Sequence, residues 1–199
     1  MRRMRACIAA LLFWLYASNS RLATLWLEQA GAAGDVKLAY AASSALTQTA
    51  LDALASSATH VAGWESDAID NSTNLYLDYI INAKIQVESA GLAAGQIRLY
   101  LVAELEDASW PDVFDGTQSA ETVTDTEIRD AICRLAAVTD TDTTASRTYY
   151  LNVPSVAAVF GGTVPRKFVI FLTQSTGAAL ESTGDPNQVY VKGVYANVA

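Results

Sequence analysis

The sequence predicts a mainly β fold: an antiparallel, jelly-roll-like β-sandwich with one short helix and a helical, apolar N-terminal extension. Two stretches alternate between apolar and polar residues, which is typical of strands that bury one face. They are residues 74–87, NLYLDYIINAKIQV, and residues 96–105, QIRLYLVAEL. No regular alternation of strands and helices follows, so the parallel sheet of βαβ folds is not indicated.

The start of the chain differs in composition from the rest. Residues 1–20 combine a basic start with an apolar run over residues 6–17, as in a secretory signal peptide. Three interpretations stay open: a cleaved export signal, an amphipathic arm that packs on a partner, or upstream sequence translated from a start codon placed too early. A membrane is expected as a partner only if the segment is a real signal. We therefore divide the chain into an extension, residues 1–34, and a β-sandwich domain, residues 35–199.

Seven patterns within the domain predict strands. They lie at residues 36–41, 59–69, 74–87, 96–105, 147–153, 166–174 and 189–198. The stretch RKFVIFLTQ is apolar on both faces, as expected of a central strand. We expect residues 74–87 and 96–105 to pair with each other in antiparallel orientation, because a short Gly-containing connection joins them.

Two other segments interrupt the strands. Residues 126–138, TEIRDAICRLAAV, have apolar residues on one helical face, and Thr126 is the expected N-cap. Residues 106–126 are acidic and contain Pro, Gly, Asp and Thr, which predicts a long surface loop. Trp110 and Phe114 would form the aromatic tip of that loop.

Composition and charge exclude several classes of function. The chain has a net charge of −8 and a pI near 4.5, and residues 35–199 hold nine basic and twenty acidic side chains. Such a domain lacks the basic surface of nucleic-acid-binding proteins, so no nucleic acid is expected as a partner. His60 is the only histidine, and Cys7 and Cys133 are too few for a disulfide framework. We therefore predict no catalytic residue, no cofactor and no metal.

Two groups of acidic side chains permit a functional and a structural interpretation. The first group consists of Glu65, Asp67, Asp70 and Asn71. Oxygen atoms of this kind bind calcium, but the EF-hand spacing is lacking, so a solvated strand end and turn is favoured. The second group consists of Glu104, Glu106, Asp107, Asp112 and Asp115. Two of them would suit the acid and base of a glycosidase, whereas a charged, exposed loop is the favoured alternative.

Five side chains form the candidate interface or binding surface. Tyr76 and Tyr100 fall on the polar faces of the two alternating stretches, and Ile80 is the one apolar residue on the polar face of the first. Trp110 and Phe114 complete the set from the acidic loop. Exposed residues of this kind would bind a sugar or bury against another subunit, and packing beneath a loop or helix is the structural alternative.

Two short motifs receive structural interpretations. The adjacent glycines of SVAAVFGG, residues 155–162, lack the ending of a phosphate-binding loop and predict a tight turn. The sequence NST at Asn71 is a glycosylation acceptor only if the chain enters a eukaryotic secretory pathway.

Three segments carry a resemblance to a known group of proteins. They are WESDAIDN at residues 64–71, SVAAVFGG with the strand that follows it, and YVKGVY at residues 190–195. Through them, residues 35–199 resemble small structural proteins of tailed bacteriophages, of the head decoration or minor structural type. The resemblance implies a non-enzymatic protein of the virion, a homo-oligomer whose partners are other capsid or tail proteins. The basic, apolar leader departs from this pattern.

Functions from other classes stay open. An exported carbohydrate-binding β-sandwich module is the main alternative, which the signal-like leader and the tyrosines on polar strand faces favour. A glycan-cleaving enzyme that uses the acidic loop is a third interpretation, and it requires two carboxylates of that loop to be free for chemistry.

Overall fold

The alternating and apolar stretches fold into two antiparallel sheets over residues 36–198, the part of the chain that the computed structural model describes. The strands are β1 (Val36–Tyr40), β2 (Ser44–Ala45), β3 (Ala62–Glu65), β4 (Ile69–Asp70), β5 (Asp78–Gln86), β6 (Gly95–Ala103), β7 (Ser119–Thr122), β8 (Arg134–Thr141), β9 (Thr148–Val153), β10 (Lys167–Gln174) and β11 (Gln188–Val198). The helices are α1 (Thr126–Ile132) and α2 (Val156–Val159). The prediction of a mainly β sandwich is confirmed, and the extension predicted at residues 1–34 lies outside the described residues. Leu38–Tyr195 form one compact unit.

The pairing of the strands is nested along the chain. The first sheet has the order β1-β11-β5-β9, with β2 also paired to β11. The second sheet has the order β7-β3-β10-β6-β8, with β4 also paired to β10. When the short strands β2, β4 and β7 are set aside, β1 pairs with β11, β3 with β10, β5 with β9 and β6 with β8. The chain therefore resembles a long two-stranded ribbon that is folded over into two sheets.

The main core lies between the sheets, because each long strand turns an apolar face inward. In β5 the buried residues Tyr79, Ile81 and Ile85 alternate with exposed or half-buried ones, as the sequence pattern predicts. They share one cluster with Leu99 of β6 and Ile170 of β10. Each fully buried isoleucine or leucine stabilises the fold by about 1.5–3 kcal/mol. In β10 every residue after the first is buried, which confirms the prediction of a central strand.

A second apolar cluster covers the outer face of the second sheet. Its buried members are Tyr100, Val102, Phe114, Val123, Cys133, Val169 and Phe171. The loop between β6 and β7 and the end of α1 supply the cover, and the ring of Phe114 stands edge-on to that of Phe171 with centroids 5.2 Å apart. The outer face of this sheet is therefore a second interior and not a solvent-facing surface.

Two predictions about the stretch 74–87 are wrong. The strand β5 begins only at Asp78, because the side chain of Asn71 binds the backbone N–H and C=O of Tyr76 and holds the preceding residues in a turn. In that turn Leu75 has a φ of 50°. The expected pairing of β5 with β6 is also absent, since β5 pairs with β9 and β11 whereas β6 pairs with β8 and β10. Their short connection crosses from one sheet to the other, so the two strands face each other across the core.

The helical segments differ from the prediction in length and number. The helix α1 begins at Thr126, but its N-cap is Asp125, whose carboxylate accepts a hydrogen bond from the N–H of Ile128 at 2.7 Å. It ends at Ile132 instead of residue 138, because the following residues form β8 along the open edge of β6. The segment SVAAV forms a second short helix, α2, where only a turn is predicted. The predicted acidic loop also contains a strand, β7.

Candidate functional site

The five residues of the predicted surface do not share one surface. Tyr100 and Phe114 are only 3% and 4% exposed, because both belong to the cluster that covers the second sheet. Trp110 is half-buried against the same cluster, so the predicted aromatic tip folds back onto the sheet. The apolar outer faces of β6 and β10 need this cover to be shielded from water. The expectation that Tyr100 and Phe114 are exposed is therefore wrong, and Trp110 keeps only part of its surface accessible.

Tyr76 and Ile80 take different positions. Tyr76 is half-buried beside Gly193, where a Cβ atom would lie 2.3 Å from the tyrosine ring. The ring of Tyr79 stands edge-on to it at 5.4 Å, so Tyr76 has a packing role. Ile80 is half-buried in β5 on the outer face of the first sheet, opposite Lys192 of β11. Of the five predicted residues, Ile80 marks the face that remains available for a partner.

Glu104 of the second acidic group lies in a network of ion pairs. Its Oε2 lies 3.1 Å from Nη2 of Arg166, and its Oε1 lies 3.5 Å from Nζ of Lys167. Arg166 also pairs with Asp107. Burial acts to raise the pKa of Glu104, but the N–H of Ala108 and the two cations outweigh it and hold the pKa below its ordinary value. Glu104 is therefore an anion held by its partners, unlike the proton donor of a glycosidase.

The other carboxylates of the acidic loop cap its turns or lie exposed. Asp112 accepts hydrogen bonds from the N–H and the hydroxyl of Thr124 at 2.9 and 2.7 Å. Asp115 accepts a hydrogen bond from the N–H of Thr117 at 2.7 Å. Glu106 is exposed. Asp115 thus closes a turn within the loop, and Asp112 ties the loop to the segment between β7 and α1, roles that the sequence alone does not indicate.

The first acidic group is distributed over separate turns. Asn71 is buried, its Nδ2 donates to the C=O of Tyr76 at 3.0 Å, and its Oδ1 accepts from the hydroxyl of Tyr79 at 3.0 Å. The amide nitrogen of the NST motif is thus held inside the fold. Asp67 and Asp70 accept backbone N–H bonds at exposed turns. Within residues 36–198 no three His, Cys, Asp or Glu side chains converge in a way that would hold a metal ion.

Glu65 is the strongly perturbed member of that group. It is fully buried at the end of β3, where Oε1 accepts hydrogen bonds from the N–H groups of Gly116 and Asp115 at 2.8 and 3.2 Å. Its Oε2 is buried without a hydrogen-bond partner. Burial raises the pKa of Glu65 to about 7, and the Asp115 and Glu121 carboxylates add to this effect against the two N–H bonds. Since no solvent reaches this carboxyl, it anchors the loop and has no access to a substrate.

The outer face of the first sheet is exposed or half-buried along its long strands. In β5 its members are Ile80, Asn82, Lys84 and Gln86, which are exposed or half-buried. Tyr150 of β9 lies opposite Lys84 and is 72% exposed. One row further, Asn82 lies between Tyr190 and Asn152, and Nδ2 of Asn152 donates to Oδ1 of Asn82 at 2.6 Å. We call this surface the open face, and its members are the outward-facing residues Ile80, Asn82, Lys84, Gln86, Thr148, Tyr150, Asn152, Gln188, Tyr190 and Lys192.

The open face has a charge opposite to that of the domain. Its charged side chains are Lys84 and Lys192, and neither has a carboxylate within 4 Å among the described residues. Residues 35–199, in contrast, hold twenty acidic and nine basic side chains. At the neighbouring edge strand β1, Leu38 and Tyr40 are 66% and 59% exposed. The open face therefore combines two cations, exposed tyrosine and amide groups, and an apolar margin.

Sequence reasoning places Ile80 and Lys84 on this face but misses Tyr150 and Lys192 as their companions. The stretch TYYLNV holds two adjacent tyrosines, and periodicity alone does not say which of them points inward. Register decides it, since Tyr149 pairs with the buried Ile85 and is itself buried.

Comparison with known proteins finds no matching family and no matching curated protein. Among the helices described between residues 36 and 198, none combines the length and the hydrophobicity needed to cross a membrane. The open face and the strand order are therefore the features from which a function can be inferred.

Proposed function

We propose that the chain is a non-enzymatic structural protein of a bacteriophage virion, a capsid decoration or minor head protein that assembles as a homo-oligomer. The observation that carries this proposal is the nested strand order, in which β1 pairs with β11, β3 with β10, β5 with β9 and β6 with β8. Eight strands that are folded over in this way support a jelly-roll arrangement, a fold of many viral capsid and lectin domains. Fold alone does not determine function, so the proposal also needs a surface that suits assembly.

The open face is that surface. Lys84 and Lys192 present positive charge on an acidic domain, and Tyr150 supplies an exposed aromatic ring of the kind enriched in interfaces. The occupant that fits best is a second copy of this chain, because its loop between β6 and β7 exposes Glu106 and Asp107. A contact between unlike surfaces of identical chains forms a ring when its rotation closes, and a ring is the arrangement we propose.

Sedimentation of the full-length protein tests the assembly. The wild type is expected to sediment as an oligomer at low salt and to dissociate as salt screens the contact. The double variant Lys84→Glu with Lys192→Glu should raise the dissociation constant of the oligomer by tenfold or more. A tenfold change corresponds to roughly 1.4 kcal/mol of association free energy. Arg134→Glu, which reverses an exposed cation of the second sheet, is the matched control and should leave the oligomer intact.

Mass spectrometry of purified virions from the source tests the location. A decoration or minor head protein is expected in many copies per particle. A protein that is monomeric at every salt concentration and absent from particles would overturn the proposal.

A carbohydrate-binding module remains the second candidate, and one observation favours it. Tyr150 and the Asn82–Asn152 amide pair lie in neighbouring rows of one sheet face, and lectin domains are among the jelly rolls. Glycan-array binding that is lost in Tyr150→Ala, but kept when Lys84 and Lys192 are reversed, would favour this function over assembly. Binding through Tyr100 is no longer expected, because that side chain is buried.

A further inference from the structure

A second polar surface lies on the opposite side of the molecule, where β6, α1 and the start of β8 meet. A cavity of about 460 Å³ opens there, and its walls include Arg98, Arg129 and Arg134. Arg98 is far in the sequence from Arg129 and Arg134, and it meets them because β6 pairs with β8 directly after α1. Three cations around one cavity are unexpected in an acidic domain, since they repel each other unless an anion lies between them.

Arg129 is the fixed member of this cavity. It is 7% exposed, and its Nε and Nη2 donate to Oδ1 of Asp130 at 2.9 and 2.7 Å. Its Nη1 donates to the C=O of Thr59. The guanidinium also lies over the ring of Tyr100, 5.8 Å from the centroid, in a cation–π contact. Arg129 is therefore committed to the fold and contributes mainly its charge.

Arg98 and Arg134 keep donors for a ligand. Arg98 uses Nε and Nη2 on the side-chain oxygen of Gln96 and Nη1 on the hydroxyl of Tyr100, which leaves two of its five N–H donors. Arg134 is exposed. Among the described residues neither arginine has a carboxylate within 4 Å. Arg98 thus keeps two N–H donors for a ligand, and the exposed guanidinium of Arg134 makes no ion pair among the described residues.

The charge around the cavity indicates the class of ligand. Three arginines and Asp130 give the walls a net charge of +2. His60, next to Arg98 and Arg129, adds no charge near neutral pH, because burial and then these two cations lower its pKa to about 4. A phosphate monoester carries about −1.5 to −2 at pH 7 and offers three acceptor oxygens, whereas a carboxylate carries −1. Leu135 and Val159 form an apolar wall beside the cations.

We propose that this cavity binds the phosphate group of a small phosphate monoester, with Arg98 and Arg134 as its direct donors. Guanidinium groups suit phosphate because their charged N–H donors form strong hydrogen bonds with its oxygens, and Arg98 brings the two donors that Gln96 and Tyr100 leave. The organic part of the ligand packs against Leu135 and Val159. This site lies on the second sheet and does not depend on the open face of the first.

Isothermal titration of the full-length protein with phenyl phosphate, inorganic phosphate and benzoate, at constant ionic strength, tests the proposal. Phenyl phosphate is expected to bind at least tenfold more tightly than benzoate, and more tightly than inorganic phosphate because of its apolar ring. Arg98→Gln and Arg134→Gln should each lower the affinity for phenyl phosphate by about tenfold or more. Arg147→Gln removes an exposed arginine that pairs with Asp142 outside the cavity, and it should leave the affinity unchanged.

Three results would overturn the proposal: no saturable binding of phenyl phosphate, equal affinity for benzoate, or full affinity in Arg134→Gln. Arg134 is exposed, so its variant is expected to fold, and an unchanged thermal midpoint checks this. If Arg98→Gln proves unstable, the outcome for Arg134→Gln decides alone.

Discussion

Replacing Glu65 by Gln should change how the stability of this protein depends on pH. The carboxyl is fully buried at the end of β3, and only one of its oxygens has hydrogen-bond partners, the N–H groups of Gly116 and Asp115. Glutamine keeps an acceptor oxygen for these two donors and carries no charge at any pH. The substitution thus removes the titration while it keeps the anchor of the loop.

The size of the effect follows from the pKa of Glu65, which is about 7 in the folded protein against an ordinary value of 4.5. Between these values the folded protein keeps its proton and the unfolded chain has lost it. The contribution of Glu65 to the free energy of unfolding therefore falls by about 3 kcal/mol as the pH rises through this interval, and it stays lower above it. The free energy of unfolding of Glu65→Gln, measured relative to that of the wild type, should therefore increase by about 3 kcal/mol as the pH rises over the same interval.

Urea denaturation followed by tryptophan fluorescence, from about pH 4.5 to about pH 8, measures this gain. Trp64 is fully buried next to Glu65 in the chain and reports global unfolding. Glu106→Gln removes the same charge from an exposed position and should follow the wild type at every pH. Parallel pH profiles for the wild type and Glu65→Gln would refute the reasoning, because they would mean that this carboxyl is already ionised in the fold at low pH.

Further predictions concern other buried positions. The pKa of His60 is lowered from 6.5 to about 4, so the contribution of His60 to stability rises as the pH rises across that interval. Asparagine suits the φ of 56° at this position. In His60→Asn the rising contribution is lost, so the urea midpoint should fall steadily between about pH 4.5 and pH 7 because of Glu65. Gly193→Ala places a Cβ 2.3 Å from the ring of Tyr76 and should lower the free energy of unfolding by about 1–3 kcal/mol, measured by urea denaturation. In a Tyr76→Ala background the ring is gone, so the same Gly193→Ala change should cost less. Phe114→Ala removes a buried ring from the cover of the second sheet and should lower the free energy of unfolding by about 3–5 kcal/mol. The fluorescence emission of Trp110, which packs against the same cluster, should shift. A loss below about 1 kcal/mol would mean that the loop closes the gap.

The alternating pattern of β5 predicts its buried face, because a strand exposes its two sides in a strict period of two. The same pattern cannot say what covers the other side. In β6 the alternation correctly places Tyr100 opposite the main core, yet the loop around Phe114 covers it and turns an expected surface into an interior. Which loop lies on which face depends on contacts between residues distant in sequence, and these leave no local pattern.

Pairing is similarly beyond the reach of local patterns. A short connection between β5 and β6 is compatible with a hairpin and equally with a crossing between two sheets, which lie about 10 Å apart. The cavity of Arg98, Arg129 and Arg134 arises from the pairing of β6 with β8, so nothing in the spacing of these arginines indicates it. Residue types thus predict the layers, whereas register and topology decide which side chains meet.

The nested strand order also constrains how the chain folds as it is synthesised. β11 lies between β1 and β5 in the first sheet, and the N–H of Ala41 donates to the C=O of Gly193 at 2.9 Å, so this sheet stays incomplete until β11 has left the ribosome. The pairs β6–β8 and β5–β9 join residues that emerge earlier and can form first. Folds dominated by such distant pairings fold in roughly milliseconds to seconds. Folding is thus expected to start in the middle of the chain and to finish when β1 and β11 meet.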